Sequence, residues 1–262
     1  MPESARAGQY NENFNVALQW MWGDGFLSPG GKEEVYEMLK GIDVEGKHVL
    51  DVGCGLGAAD VLLIQSFGAA RVTGIDVEPH LIEACRARAR DNGVSGQTDF
   101  VLVEPGPLPF EASSFDIVFS KDAIVHIPDK PAFYADVFEK LRPGGLFVGS
   151  DWLRGGEDTA TEEALSWLSY VHLNFQMSEA PAVEATIRAA GFDSVRLNDR
   201  NAWYQEEIKR ELESLEGENF EKLASMIGAE AANYRLENSA MKRHAIDDGF
   251  LRPTHIVASK PV

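Results

Sequence analysis

From Lys47 onward, short apolar runs alternate with longer amphipathic stretches at intervals of roughly 20 to 30 residues, the spacing of βα units that build a parallel sheet. Strands are predicted at His48–Val52, Arg71–Ile75, Thr98–Val103, Phe115–Ser120, Leu146–Asp151 and Ser194–Leu197, with a final extended run over Thr254–Lys260. Helical periodicity covers Ala58–Ser66, Pro79–Asp91, Lys130–Leu141 and Pro181–Ala190, the last closed by Gly191. The expected fold class is α/β, a doubly wound, seven-stranded, mostly parallel sheet.

Two segments fall outside this repeat. Residues 1–46 carry an aromatic-rich stretch, Trp20-Met21-Trp22-Gly23-Asp24-Gly25-Phe26, leading into Ser28-Pro29-Gly30-Gly31. Residues 199–251 form a charged helical stretch before the last strand. With a helix over Ala160–Phe175 they are expected to cap the carboxyl edge of the sheet, where ligands of open α/β folds bind. The chain thus reads as one domain over residues 1–262, with an N-terminal lid (1–46), a core (47–198 and 252–262) and a helical cap (199–251). No internal repeat or low-complexity linker interrupts it.

Composition narrows the partners. The 262 residues are 44% apolar and 25% charged, enough for a sizeable core, but the net charge of −18 repels phosphate backbones and anionic lipids. Neither nucleic acid nor a membrane is expected as a partner. No apolar run approaches the length of a membrane span, and the first residues lack the apolar core of a secretion signal. Cys54 and Cys85 are too few for a disulfide framework and suit a reducing, cytoplasmic setting. No histidine pair has metal-ligand spacing with a third ligand, so no metal is expected.

The chemistry concentrates where the first strand meets the first helix. In Val49-Leu50-Asp51-Val52-Gly53-Cys54-Gly55-Leu56-Gly57, three glycines let backbone approach a ligand while helix N–H groups face it. Asp76 ends the second strand, where its carboxylate can accept both hydroxyls of a ribose. These features alone do not separate a dinucleotide from another adenosine ligand. Asp51 favours a ligand with an ammonium and a sulfonium over a pyrophosphate. Glu104, at the end of the third strand, offers an acceptor for an adenine amino group. The single Tyr-x-x-x-Lys, Tyr36 to Lys40, precedes the loop, whereas a short-chain dehydrogenase needs it well after. S-adenosyl-L-methionine is therefore preferred to NAD.

Val49 to Gly57, Gly74-Ile75-Asp76, Leu108-Pro109-Phe110 through Ser114-Phe115-Asp116-Ile117-Val118, and Leu141-Arg142-Pro143-Gly144-Gly145 together resemble class I S-adenosylmethionine-dependent methyltransferases in order and spacing. The stretches Trp22 to Gly31 and Ser120 to Lys130 are similar to phosphoethanolamine N-methyltransferases and, nearly as well, to sarcosine/dimethylglycine N-methyltransferases. The resemblance implies a Rossmann-like methyltransferase fold and methyl transfer from S-adenosyl-L-methionine to the nitrogen of a small amine. It implies cofactor contacts at Asp51, Gly53, Gly55, Gly57, Asp76, Val77, Glu104 and Ser120, and substrate contacts at Leu27 and Ser28.

An alkylamine is mostly protonated near neutral pH and an ammonium has no lone pair, so a nearby acceptor helps such a transfer. His126, after the fourth strand, is the candidate. The resemblance implies that Tyr10 pairs with it as a latch and that Asp122 holds the amine. Trp22 and Trp152 are candidates for the substrate pocket, because aromatic faces attract methylated ammonium groups. Trp20 and Trp167 are expected to serve ordinary packing. At the places where a phosphate grip is expected from the resemblance stand Leu173 and Phe175, with Arg154, Arg235, Lys242 and Arg243 as cations from other directions. The alternatives are methylation of oxygen, sulfur or carbon of a natural product, a cofactor-binding subunit without catalysis, and an NAD-dependent oxidoreductase. The sequence leaves monomer or homodimer open.

Overall fold

The computed structural model describes residues 12–171 and 173–262. Helices α1 (Glu12–Trp22) and α2 (Gly31–Met38) precede β1 (His48–Val52), α3 (Ala58–Gln65), β2 (Arg71–Asp76), α4 (Pro79–Asp91), β3 (Thr98–Leu102), β4 (Phe115–Lys121), α5 (Lys130–Lys140) and β5 (Leu141–Arg154). Then come α6 (Glu162–Tyr170), α7 (Ala180–Ala189), β6 (Ser194–Asp199), α8 (Asn201–Ser214), α9 (Gly217–Ile227), α10 (Ala229–Asp247) and β7 (Leu251–Ser259).

The seven strands form one sheet in the order β3-β2-β1-β4-β5-β7-β6, with β7 alone antiparallel to its neighbours. Strand order reverses between β1 and β4, which run parallel side by side through Val49–Ile117 and Asp51–Phe119. A crevice opens beyond the carboxyl ends of strands at such a point, because the following connections leave toward opposite faces.

Side-chain alternation divides the core between those two faces. Val49, Ile117 and Phe119 bury one face against Leu63 of α3, Ile82 and Cys85 of α4, and Val35 and Met38 of α2. Leu50, Val118 and Phe147 bury the other against Tyr134 and Val137 of α5 and Ile187 of α7. The continuous apolar runs of the middle strands follow from this double coverage.

The described part of the N-terminal segment, 12–46, packs in two places. Its α2 belongs to the sheet core through Val35 and Met38, whereas Ala17 of α1 packs with Leu215, Leu223 and Ile227 in the layer of α9 and α10. The helix expected over Ala160–Phe175 stops at Tyr170, and α6 buries Trp167 against Tyr204, Ile208 and Ile246. A buried ionic knot fastens this layer to the sheet. Arg200 donates to both oxygens of Glu34 at 2.9 and 2.8 Å, and His255 Nε2 of β7 lies 2.7 Å from the same carboxylate. Burial drives the Glu34 carboxyl upward, but the bonds from His255 and Arg200 outweigh it and hold it below its usual range. Among the described residues no helix is long and apolar enough to cross a membrane.

At the reversal point the β1 and β4 loops touch. Gly53 has φ +78°, and a Cβ built on it would stand 2.3 Å from Ala123 Cβ. Gly93 shares the left-handed backbone (φ +70°) with open space around it. We expect Gly93→Ala to lower unfolding free energy by about 1–2 kcal/mol through backbone strain alone. Gly53→Ala should lose about 1–3 kcal/mol more through overpacking. Urea unfolding of the two variants checks this, and equal losses would mean that the close approach carries no energetic weight.

Candidate active site

The crevice is built from three loops. Gly53 N and Cys54 N both donate to Ile75 O, at 2.9 and 3.0 Å, so the β1 loop is tied across to the end of β2. There Asp76 accepts from Gly55 N at 3.0 Å and from Glu78 N at 3.1 Å. A carboxylate has about four lone-pair sites, so Asp76 keeps acceptor capacity for two more donors. Val77 is 48% exposed and Leu102, paired in register with Asp76, is 46% exposed. Two large apolar side chains are thus left in solvent near this carboxylate. Glu104, two residues past β3, is exposed at the same edge.

Beneath the glycine loop the structure gathers a second carboxylate that the sequence reading missed. Asp60 of α3 is fully buried next to Asp51, and the two carboxyls hydrogen-bond each other, which requires a proton on one of them. Burial pushes the Asp51 carboxyl well above its ordinary range, with Asp60 and Asp76 adding repulsion. Burial also raises Asp60, to about 7. Two such groups side by side hold on to a proton, because both cannot ionise at low dielectric cost. The region under the loop thus favours positive charge and disfavours a pyrophosphate. Asp60 was recoverable only from its helical position after Gly57, a weak signal.

Gly53's contact with Ala123 sets the next residues, Asp122 and the 3₁₀ turn Ile124–His126, beside the glycine loop. Asp122 adopts φ +57°, unusual for a residue other than glycine. It is fixed there by Ser150 Oγ, which donates to Oδ1 at 2.5 Å, and by Lys121 Nζ at 2.9 Å. Burial works against its charge, yet Lys121 and Ser150 hold it ionised, below the usual carboxylate range. Lys121 also donates to Ser28 Oγ at 2.5 Å and Pro29 O at 2.9 Å, clamping the α1–α2 loop over the site. Arg88 of α4 makes a second clamp, donating to both oxygens of Asp24 and to Leu56 O. Neither clamp was foreseen, since nothing in the local sequence links these residues.

A cavity of about 610 Å³, counting its open mouth, lies between this turn and the helical layer. Trp22, Trp152 and Phe175 line it together with Asp122, His126, Leu27 and Ser28. Trp167, expected to serve packing alone, both packs and lines it. The Trp22 indole N–H is buried without an acceptor among the described residues, which leaves a donor for a bound molecule. Leu27 lies over Gly55, 3.4 Å from where a Cβ would stand. Of the four candidate cations, Arg235 and Lys242 line the cavity, whereas Arg154 pairs with Glu179 and Arg243 with Asp247. Ser120 differs from expectation. It is fully buried and its hydroxyl donates to Val52 O at 2.8 Å, so the side chain joins β4 to β1. Tyr10 lies outside the described residues. Among the described residues no cluster of three or more histidine, cysteine or acidic side chains could hold a metal ion.

A family model described as "Methyltransferase domain" matches residues 43–215. Phosphoethanolamine N-methyltransferase 1 of Arabidopsis thaliana is 31% identical over 212 residues, 80% of this chain and 42% of its own length. The chain thus spans about two-fifths of this curated relative. Among solved structures, phosphoethanolamine N-methyltransferase 2 of Haemonchus contortus, in complex with phosphomonomethylethanolamine and S-adenosylhomocysteine, superposes with a TM-score of 0.88 at 23% identity. It covers 98% of this chain and 59% of that one. A putative sarcosine dimethylglycine methyltransferase from Galdieria sulphuraria gives 0.76 at 18% identity, covering 87% and 85%.

Burial lowers the His126 imidazole to about 4; Asp122 opposes the shift and Lys130 adds to it. The folded pKa lies below the unfolded value, so the ring is neutral throughout the neutral range. The stability that this neutral burial permits is full above the unfolded pKa and declines as pH falls. We expect His126 ring signals in nuclear magnetic resonance to stay unshifted from pH 8 down to about 5 and to titrate near 4. A midpoint near the ordinary histidine value, about 6.5, would contradict the burial.

Proposed function

Because the chain belongs to the methyltransferase-domain family, we propose that it moves methyl groups from S-adenosyl-L-methionine to the nitrogen of a small amine. The observation that carries this reading is the approach of Gly53 to Ala123, which sets the turn bearing Asp122 and His126 against the glycine loop. A cofactor cradle and an acceptor cavity therefore share one edge of the sheet.

The residues fit the cofactor. Asp76, with two acceptor sites left over, would take the ribose hydroxyls; Val77 and Leu102 would flank the adenine, with Glu104 accepting from its amino group. The backbone of Gly53, Gly55 and Gly57 and the acidic patch under it would receive the positively charged methionine end. When bound, S-adenosyl-L-methionine supplies a methyl group already activated by its sulfonium, so the protein's task is alignment and exclusion of water.

The chain's own groups prepare the acceptor. Ionised Asp122 would hold the incoming ammonium, and the aromatic faces of Trp22 and Trp152 would surround the carbons bonded to it. Neutral His126 would accept a hydrogen bond from the acceptor nitrogen and orient its lone pair, the ammonium proton having left to solvent, because an imidazole with a pKa of about 4 does not hold it. Asp122, His126 and the two tryptophans would thereby turn the lone pair toward the cofactor cradle. The two buried, unbridged cysteines agree with a reducing, cytoplasmic setting.

We expect His126→Ala to lower kcat by about 10² to 10⁴ while cofactor affinity by calorimetry stays within twofold, with partial rescue at higher pH. An unchanged kcat at neutral pH would leave alignment alone carrying the reaction. Asp76→Ala should weaken S-adenosyl-L-methionine by about 1.5–3 kcal/mol, through loss of charge-assisted bonds. Unaltered affinity would remove Asp76 from the cofactor site.

A further inference from the structure

The inner end of the cavity carries an ion pair that methyl transfer does not use. Glu211 of α8 and Lys242 of α10 both line it, with side chains 2% and 4% exposed. Lys242 Nζ donates to both Glu211 oxygens, at 2.8 and 3.0 Å, and Ser239 Oγ donates to Oε1 at 2.5 Å. Ring faces of Tyr204 and Trp22 lie 5.5 and 5.8 Å from the same ammonium. An ammonium has three donors, and two of these are committed to one carboxylate. The buried cation best placed to grip an anionic acceptor is therefore neutralised by its neighbour.

The balance of charge around the cavity points the same way. Asp122 and Glu211 line it against Arg235 and Lys242, so the ionised side chains sum to zero with His126 neutral. Leu173 and Phe175, also at the wall, add only apolar surface. A dianion entering from solvent around a chain of net charge −18 would lose hydration without a surplus cation to meet it. A protonated amine without a phosphate brings a single charge and loses less hydration, and ionised Asp122, though paired with Lys121, lines the cavity to meet it.

We propose, on the reading that the acceptor is a small amine, that Glu211 is a specificity-determining residue: by holding Lys242 it bars phosphorylated amines and selects unphosphorylated ones. The pair is rigid, since breaking it would leave a buried charge without its partner. Glu211 is thus a fixed filter and not a group that steps aside when an anion arrives. Removing its charge while keeping its shape should convert the cavity into an anion site built on Lys242.

The test titrates inorganic phosphate by calorimetry into the wild-type protein, Glu211→Gln and Glu211→Gln/Lys242→Gln. We expect no saturation by millimolar phosphate in the wild type. Glu211→Gln should bind roughly 10- to 100-fold more tightly, the worth of a freed charge-assisted bond, and the double variant should fall back to wild-type behaviour. In parallel, the ratio of kcat/KM for phosphoethanolamine to that for ethanolamine should rise in Glu211→Gln by a similar factor. Equal phosphate binding by wild type and Glu211→Gln, or by Glu211→Gln and the double variant, would overturn the proposal. If Glu211→Gln does not fold, the wild-type titration decides alone: phosphate that binds in competition with the acceptor overturns it, and absence of binding supports it. Phosphate binding needs no turnover, so failure of every amine as a methyl acceptor would defeat the methyl-transfer reading and leave this titration interpretable.

Discussion

The structure depends on one close contact, Gly53 against Ala123, at the place where the order of strands reverses. Parallel pairing of β1 with β4 brings their carboxyl ends together, and only a residue without Cβ lets the two following loops meet there. One loop is the glycine cradle and the other bears Asp122 and His126. The distance between a bound cofactor and an acceptor is thus set by backbone on rigid strands, which position groups more accurately than free loops do. On the proposed function, a methyl donor and an acceptor nitrogen have to approach within about 3–3.5 Å in line, and this contact would bring their two sites together.

Electrostatics divides the site into three zones with different tasks. Under the loop, burial raises the carboxyls of Asp51, Asp60 and Asp76, most of all Asp51, so Asp51 and Asp60 share a proton while backbone N–H groups counter the rise at Asp76. Around the turn, Asp122 is held ionised by Lys121 and Ser150 while His126 is held neutral, so an anion and a neutral acceptor stand side by side. In the helical layer, Glu211 and Lys242 cancel each other. Lys121 belongs to two of these tasks, because the same ammonium that holds Asp122 also fastens Ser28 and Pro29 of the covering loop.

The parts legible in the sequence were those with local periodicity or local chemistry. The strands of the doubly covered sheet read as apolar runs, and the glycine loop with Asp76 read as an adenosine cradle, because each is encoded within a few consecutive residues. What escaped depends on tertiary approach. Asp60, Arg88 and Glu211 look like ordinary helix-surface charges until folding buries or pairs them. Trp167 looks like packing and also walls the cavity. Ser120 looks like a polar residue at a strand end, but its hydroxyl satisfies the Val52 carbonyl inside the sheet. The N-terminal segment reads as one unit because it precedes the βα repeat, whereas burial splits its described part, 12–46, between the sheet core and the helical layer.

The central claim is that one edge of the sheet joins a cofactor cradle to an amine cavity. The most direct measurement is mass spectrometry of acceptors incubated with the protein and S-adenosyl-L-methionine carrying an isotopically labelled methyl group, across amines, alcohols, thiols and carbon nucleophiles. The account predicts labelled methyl on the nitrogen of an unphosphorylated amine, with one S-adenosylhomocysteine formed per methyl transferred. Label on oxygen, sulfur or carbon with none on any amine, or tight cofactor binding with no labelled product from the whole panel, would contradict it.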